Sequence, residues 1–415
     1  MIAHITPSRL SGCVRAPASK SAAHRAMICA ALAHGETQVF CSDSNADIEA
    51  TYRCITALGA KAVRTTDGVR ICGGNFAKTA RTDCGESGST LRFLIPVAAA
   101  LGCETEFYCT GRLPERPMDA LRDALCAHGA DLSLAGENPV RVQGMLSPGR
   151  FTLPGNVSSQ FVSGLLFALP LLDGESEIVI EGKLSSADYV EMTLQAQAAF
   201  GVYPERTKDG FRIPANAVYR SPGEMQVEGD WSGAAFWLCA GVPVKGLLKD
   251  TAQGDRRVLG VLAQMGAEIT YDDGVFTAGK VQWGTVIDAD PIPDLVPPLA
   301  AAAVFAKGET RIVNASRLRA KESDRLFTTA AALQSLGADI REDGDGLYIR
   351  GGKPIEGGIA DSYGDHRIAM AAAIAALSAE GESVIRGAEA VNKSYPGFWR
   401  DLERLGGKVC LSEGE

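Results

Sequence analysis

The chain has no surplus of positive charge: 41 Lys and Arg stand against 50 Asp and Glu, a formal net charge of −9. Nucleic-acid binders need a basic face to displace counterions from phosphates, so the charge balance argues against that class and confines any anion to a local pocket. Apolar runs of about 18 residues are missing, and MIAHITPSRLSG lacks the charged-then-apolar start of a signal peptide. The expectation is a cytoplasmic protein without a membrane partner. The 11 cysteines are odd in number and scattered, with no C-x-x-C pair, so neither a zinc site nor a disulfide framework is supported. They read as reduced, mostly buried thiols. Lys20-Ser21 has the end of a phosphate-binding loop but no G-x-x-x-x-G ahead of it, which argues against a nucleotide kinase.

What is present points to an α/β protein. With 46% hydrophobic and 22% charged residues in 415, the composition is globular, and the length predicts two large domains. Six segments share a helix end, a glycine and a strand, most followed by a turn and a second strand: LGAKAVRTTDGVRICGG, HGADLSLAGENPVRVQG, FGVYPERTKDGFRIP, MGAEITYDDGVFTAG, LGADIREDGDGLYIRGG and LGGKVCLSEGE. Their glycines, Gly59, Gly129, Gly201, Gly266, Gly337 and Gly406, recur at intervals of 70, 72, 65, 71 and 69 residues. A glycine there ends a helix in the left-handed conformation, and the Asp-Gly pairs that follow suit tight hairpins. An alanine-rich helix recurs in the front half of each unit, as in AAHRAMICAALA, LRFLIPVAAAL and HRIAMAAAIAALS, followed by a short strand and a more polar helix. Six βαβαββ units result, three on each side of the linker AVYRSPGEMQVEGD, with the alanine-rich helices buried.

Those buried helices start at SKSAAHR, ESGSTLR, NVSSQF, DWSGA, PIPDLV and GDHR. Five of the six carry a capping residue, and amides plus dipole at a helix start attract anions. Capping needs none of Lys20, Arg25, Arg92 or His366-Arg367, and a cation at a helix start opposes the dipole, so these residues imply a bound anion. A second set of junctions, GRLPERPMD, SSADYVE, RLRAKESDR and NKSYPGF, precedes the polar helices. In RLRAKESDR, Arg317, Arg319, Lys321 and Arg325 surround Glu322 and Asp324, either as a site or as a solvated helix start. Asp294 lies in the apolar PIPDLVPPLAA, where desolvation is expected to raise its pKa toward a general base's range.

The strings ASKSAAHR, GESGSTLR, RLPERPMD, VSSQF, SSADY, VEGD, IPD, RAKESDRL, GDHRIAM and NKSYPGF, in this order, resemble the 5-enolpyruvylshikimate-3-phosphate synthase family over essentially the whole chain. The resemblance implies a two-domain inside-out α/β barrel whose chain passes between domains twice, with residues 13–225 in one domain and 1–12 with 226–415 in the other. It implies an active site in the interdomain cleft, a monomer, and no metal or organic cofactor. The implied reaction, in the shikimate route to chorismate and the aromatic amino acids, transfers the enolpyruvyl group of phosphoenolpyruvate to the 5-hydroxyl of shikimate 3-phosphate. By the same resemblance, Lys20, Ser21, Arg25, Ser158, Ser159, Gln160, Ser186, Asp294 and Lys321 hold shikimate 3-phosphate. Phosphoenolpyruvate falls to Lys20, Gly88, Arg112, Gln160, Arg325, Arg367 and Lys393. Asp294 is expected to deprotonate the 5-hydroxyl, Glu322 to protonate the methylene carbon, and Lys20 to assist protonation and phosphate departure.

One string departs from the family's. Glu86-Ser87-Gly88-Ser89 and Arg92-Phe93 stand where the family more often has Asn-Ala-Gly-Thr and Arg-Pro. An acid at position 86 is expected to pair with a neighbouring arginine such as Arg112, and glyphosate to compete with phosphoenolpyruvate beside Gly88. The sister family that acts on UDP-N-acetylglucosamine has Lys-Asn in place of Lys20-Ser21 and a different spacing from the loop cysteine to Arg-Pro than CTGRLPERP, which disfavours it.

Overall fold

The computed structural model describes residues 1–133, 136–215 and 217–413. Leu134 and Ala135, in the second predicted hairpin turn, and Gly414 and Glu415, at the end of the sixth repeat, lie outside the described residues. The chain divides into two compact units, one of Ala18–Val227 and one of Met1–Pro17 with Glu228–Glu415.

The Ala18–Val227 unit holds helices α1 (Lys20–Leu32), α2 (Ala46–Ala57), α3 (Gly88–Ala100), α4 (Asp119–Cys126), α5 (Ser159–Ala168) and α6 (Ala187–Ala199). They pack on three four-stranded sheets. In one, Thr79–Gly85 runs parallel to Glu104–Cys109, which pairs antiparallel with Val140–Gly144, and Ala130–Leu132 closes the far edge. With α3 and α4 between the strands, that is the predicted βαβαββ order. Arg150–Pro154, Ser176–Glu181, Gly210–Ile213 and Glu205–Arg206 repeat it. In the third sheet the leading strand comes from the other end of the unit: Glu224–Gln226 lies parallel to Glu36–Phe40.

The other unit contains α7 (Trp231–Cys239), α8 (Val258–Gln264), α9 (Val296–Ala303), α10 (Arg325–Gln334), α11 (His366–Ala376) and α12 (Phe398–Arg404). One sheet, Val286–Asp288, Gly308–Val313, Gly346–Gly351 and Ile340–Asp343, is contiguous in sequence. The other two borrow strands. Val14–Arg15 pairs in parallel with Val244–Lys245, and Ile2–Thr6 sits between Ser383–Arg386 and Lys408–Ser412. These pairings keep the chain in this unit as far as Pro17.

The six repeat glycines all have positive φ, from +78° at Gly201 to +117° at Gly59, so the periodicity marks helix ends that a side chain would strain. The alanine-rich helices α1, α3, α5, α7, α9 and α11 are buried along nearly their whole length. Small side chains allow close approach: a Cβ added at Gly164 of α5 would lie 2.4 Å from the carbonyl oxygen of Arg92 in α3. That carbonyl is four residues before Pro96, which has no N–H to give it, so the helix contact comes where the ladder is broken. Aromatics fill the rest of each core, Phe93 edge-on to Phe167 at 5.5 Å in one and Trp237 stacked on Phe398 at 4.9 Å in the other. Among the described residues no helix is long and apolar enough to cross a membrane.

Candidate active site

In the Ala18–Val227 unit the starts of the buried helices carry the predicted residues. Ser19, Ser87 and Ser158 cap α1, α3 and α5, accepting from the backbone N–H of Ala22, Thr90 and Gln160. Lys20, first in α1, donates from Nζ to Asp47 Oδ2 at 2.8 Å, with both side chains largely buried. Gln160 is clamped at both ends: its Oε1 accepts from Arg92 Nη1 at 2.8 Å and its Nε2 donates to Ser89 Oγ at 2.9 Å. Arg25 is 2% exposed and donates to Thr193 Oγ1 and to the carbonyls of Ser21 and Tyr189, with its guanidinium over the Phe93 ring at 5.0 Å. Burial lowers its pKa to about 10. Ser186 starts α6 from a left-handed conformation, φ 53°, and Ser159 is buried.

The Glu228–Glu415 segment builds a denser cluster. Arg325, at the start of α10, is 2% exposed and reaches three carboxylates: Nη1 to Asp294 Oδ1 at 2.8 Å, Nη2 to Glu322 Oε2 at 2.7 Å, and Nε to Asp365 Oδ2 at 2.8 Å. Asp294 also meets Lys321 Nζ at 3.3 Å and Arg367 Nη2 at 3.2 Å, and its carbonyl accepts from Arg367 Nη1. Asp365 caps α11 and accepts from Ser323 Oγ besides. Lys393 ends a 3-10 turn, Ala388–Lys393, and is buried.

Two expectations change. Burial does push the Asp294 pKa up, but Arg367, Lys321 and Arg325 outweigh it and hold the carboxyl well below the usual range, so it is not a desolvated base in this arrangement. The cations at the helix starts also have partners within the protein that the sequence did not show: the carboxylates of Asp47 for Lys20 and Asp294 for Arg367, and the neutral amide of Gln160 for Arg92. RLRAKESDR also divides. Arg317 pairs with Asp290 and Arg319 with Asp324 and Glu342, while Lys321, Glu322 and Arg325 turn toward Asp294.

A model of the family described as EPSP synthase (3-phosphoshikimate 1-carboxyvinyltransferase) matches residues 5–402. The chain belongs to the EPSP synthase family. Similar curated proteins include the 3-phosphoshikimate 1-carboxyvinyltransferases of Clostridium kluyveri, 41% identical with 98% of this chain and 97% of that one covered, and of Clostridium perfringens, 41% identical with 97% and 98% covered. A solved EPSP synthase from Acinetobacter baumannii superposes with a TM-score of 0.82 at 26% identity over 99% of this chain and 100% of that one. The enolpyruvyl transferase NikO from Streptomyces tendae, at 18% identity and a TM-score of 0.80 with 100% and 99% covered, shares the fold. The architecture is therefore the two-domain enolpyruvyl transferase fold.

Within this EPSP synthase family member, sequence reasoning passed over several residues that hold the named ones. Asp47 carries no motif of its own, and Asp365 reads in GDHR only as a cap; they are buried partners of Lys20 and Arg325. The Glu86 carboxylate lies over Gly111, next to Arg112, so closely that any Cβ at 111 would collide with it. Arg116, a second arginine in RLPERP, brings its guanidinium against Gly88: a Cβ there would stand 2.8 Å from Nη1. The rationale for Gly88 is thus the approach of Arg116 as much as that of a ligand.

Asp255 is the fourth. It is 3% exposed, its Oδ2 accepts from Ser232 Oγ, and its Oδ1 has no hydrogen-bond partner among the described residues. Burial first, then the charges of Asp294 and Asp230, push its pKa up to about 7 against the pull of Arg367. The native carboxyl therefore keeps a proton that the unfolded chain has lost, and between about pH 4 and the native value stability falls as pH rises, levelling off above it. Asp255→Asn is expected to remove that part of the slope. Thermal melts from about pH 5 to pH 8 should show a Tm that declines by several degrees less in the variant than in wild type. Parallel declines would show the carboxyl to be ionised throughout.

Proposed function

We propose that this protein transfers the enolpyruvyl group of phosphoenolpyruvate to the 5-hydroxyl of shikimate 3-phosphate, releasing inorganic phosphate. The observation that carries the reading is a carboxylate, Asp294, gripped by Lys321, Arg325 and Arg367. Anions bound to those cations take up the charge that now depresses the Asp294 pKa, so its basicity rises when substrate arrives. Asp294 then accepts the 5-hydroxyl proton, Glu322 passes a proton to the methylene carbon, and elimination returns a proton and expels phosphate with help from Lys20. Arginine forks match carboxylate and phosphate, and Lys20 supplies a compact charge between the two substrates.

The residue assignment follows the resemblance: Ser21, Arg25, Ser158, Ser159, Gln160, Ser186 and Lys321 toward shikimate 3-phosphate; Gly88, Arg112, Gln160, Arg325, Arg367 and Lys393 toward phosphoenolpyruvate. The test is phosphate release from phosphoenolpyruvate, expected only when shikimate 3-phosphate is present. Folded protein that released none with both substrates would end the reading.

Glyphosate is expected to compete with phosphoenolpyruvate, and Gly88→Ala to relieve it. The added methyl displaces the Arg116 guanidinium, and one methyl in a tight pocket discriminates by about 10- to 200-fold, the rise expected in the inhibition constant. Equal inhibition of both proteins would refute it.

A further inference from the structure

One titratable side chain at the start of α1 has no part in the chemistry above. His24 is fully buried, and its Nδ1 lies 2.6 Å from Thr51 Oγ1 on α2. Thr51 Oγ1 lies 2.7 Å from Thr90 Oγ1 on α3, and Thr90 Oγ1 lies 2.7 Å from Ser87 Oγ, the α3 cap. All four side chains are 0% exposed.

The chain has a direction in the fold. His24 is four residues after Lys20 on α1, and Thr51 four after Asp47 on α2, so the Lys20–Asp47 pair and the His24–Thr51 contact are successive rungs between the same two helices. From the second rung the hydroxyls continue to the residue just before Gly88 and Ser89. Ser89 is held by Gln160 of α5. The first turn of α3 is thereby held twice, by buried hydroxyls at Ser87 and Thr90 and by an amide at Ser89.

We propose that His24, Thr51 and Thr90 are positioning residues that set the first turn of α3 for phosphoenolpyruvate through Ser87. The proposal rests on the reading of function above for its ligand. It predicts selectivity, because the hydroxyl chain ends at Ser87, next to Gly88, and none of its four side chains hydrogen-bonds to Ser158, Ser159 or Ser186 in the contacts that build it. Hydroxyls in a dry interior hold orientation tightly because they have no water to turn to, and a small displacement of a binding group costs rate out of proportion to its size.

The experiment compares wild type, Thr51→Val, Thr51→Ser and Thr90→Val in steady-state phosphate release, each substrate titrated in turn. Thr51→Val is expected to raise KM for phosphoenolpyruvate about tenfold while KM for shikimate 3-phosphate stays within about twofold, and Thr51→Ser, which restores the hydroxyl, to return it. Thr90→Val breaks the next link and should give the same split, which keeps the test open if Thr51→Val does not fold. Amide hydrogen exchange of the Glu86–Leu91 segment gives a readout without turnover: protection falls in the valine variants and recovers in Thr51→Ser. An unchanged KM for phosphoenolpyruvate, equal changes in both KM values, or unchanged protection in folded valine variants overturns the proposal. A wild type that releases no phosphate while the exchange pattern appears as expected leaves the positioning role standing and removes the reading of function.

Discussion

Asp294→Asn lowers kcat by about a thousandfold, the size of contribution a positioned base makes, and does so without weakening phosphoenolpyruvate. The second half of that expectation comes from the charges. Asp294 occupies Lys321, Arg325 and Arg367, the cations an anionic substrate would use, and the amide removes the competing anion while keeping the shape. KM for phosphoenolpyruvate should therefore stay level or fall as kcat collapses. Steady-state phosphate release separates the two constants. A loss of less than about tenfold in kcat would take Asp294 out of the proton transfer.

Arg325→Met is expected to cost about 3–5 kcal/mol of stability, because it strips the partner from carboxylates that are already out of water. Asp365 has a fully buried side chain and Glu322 one that is 15% exposed, and the hydrophobic replacement answers neither. For a unit of this size the fall in Tm should reach about 10 °C or more. Arg325→Lys keeps the charge but cannot span three carboxylates, so its melt should fall between the two. Differential scanning calorimetry decides the matter, and a Met variant melting with wild type would show that the three pairs contribute nothing net. Lys321 is the contrast within the same cluster. Burial lowers its pKa, so it gives up its proton more readily than a surface lysine.

The glycine spacing made the repeat legible because a left-handed helix end admits little else, and the capping serines and aspartates were legible for a similar reason. Strand exchange was not legible from the residues: Val14–Arg15 is two residues long and Glu224–Gln226 three, too short to show any period. The predicted site residues carried motifs, but which residue holds which was not legible, even for Asp365 in GDHRIAM. Asp47 is 27 residues from Lys20, Thr51 27 from His24, and Asp365 40 from Arg325. The pKa of Asp294 departs from its expectation for the same reason. Its apolar flanks are visible in sequence, whereas the cations that decide the outcome come from 27, 31 and 73 residues away.

The borrowed strands impose a schedule on synthesis. Ala18–Val227 is one continuous stretch, and its last strand, Glu224–Gln226, leaves the ribosome with the unit otherwise complete, so it can fold while the second half is still being made. Ile2–Thr6 has no such early partner. It is made before that unit, whereas its two neighbours, Ser383–Arg386 and Lys408–Ser412, are made well after it. An alternating apolar strand must therefore wait while the whole Ala18–Val227 unit and more is made, the interval in which a chaperone or a second nascent chain would find it.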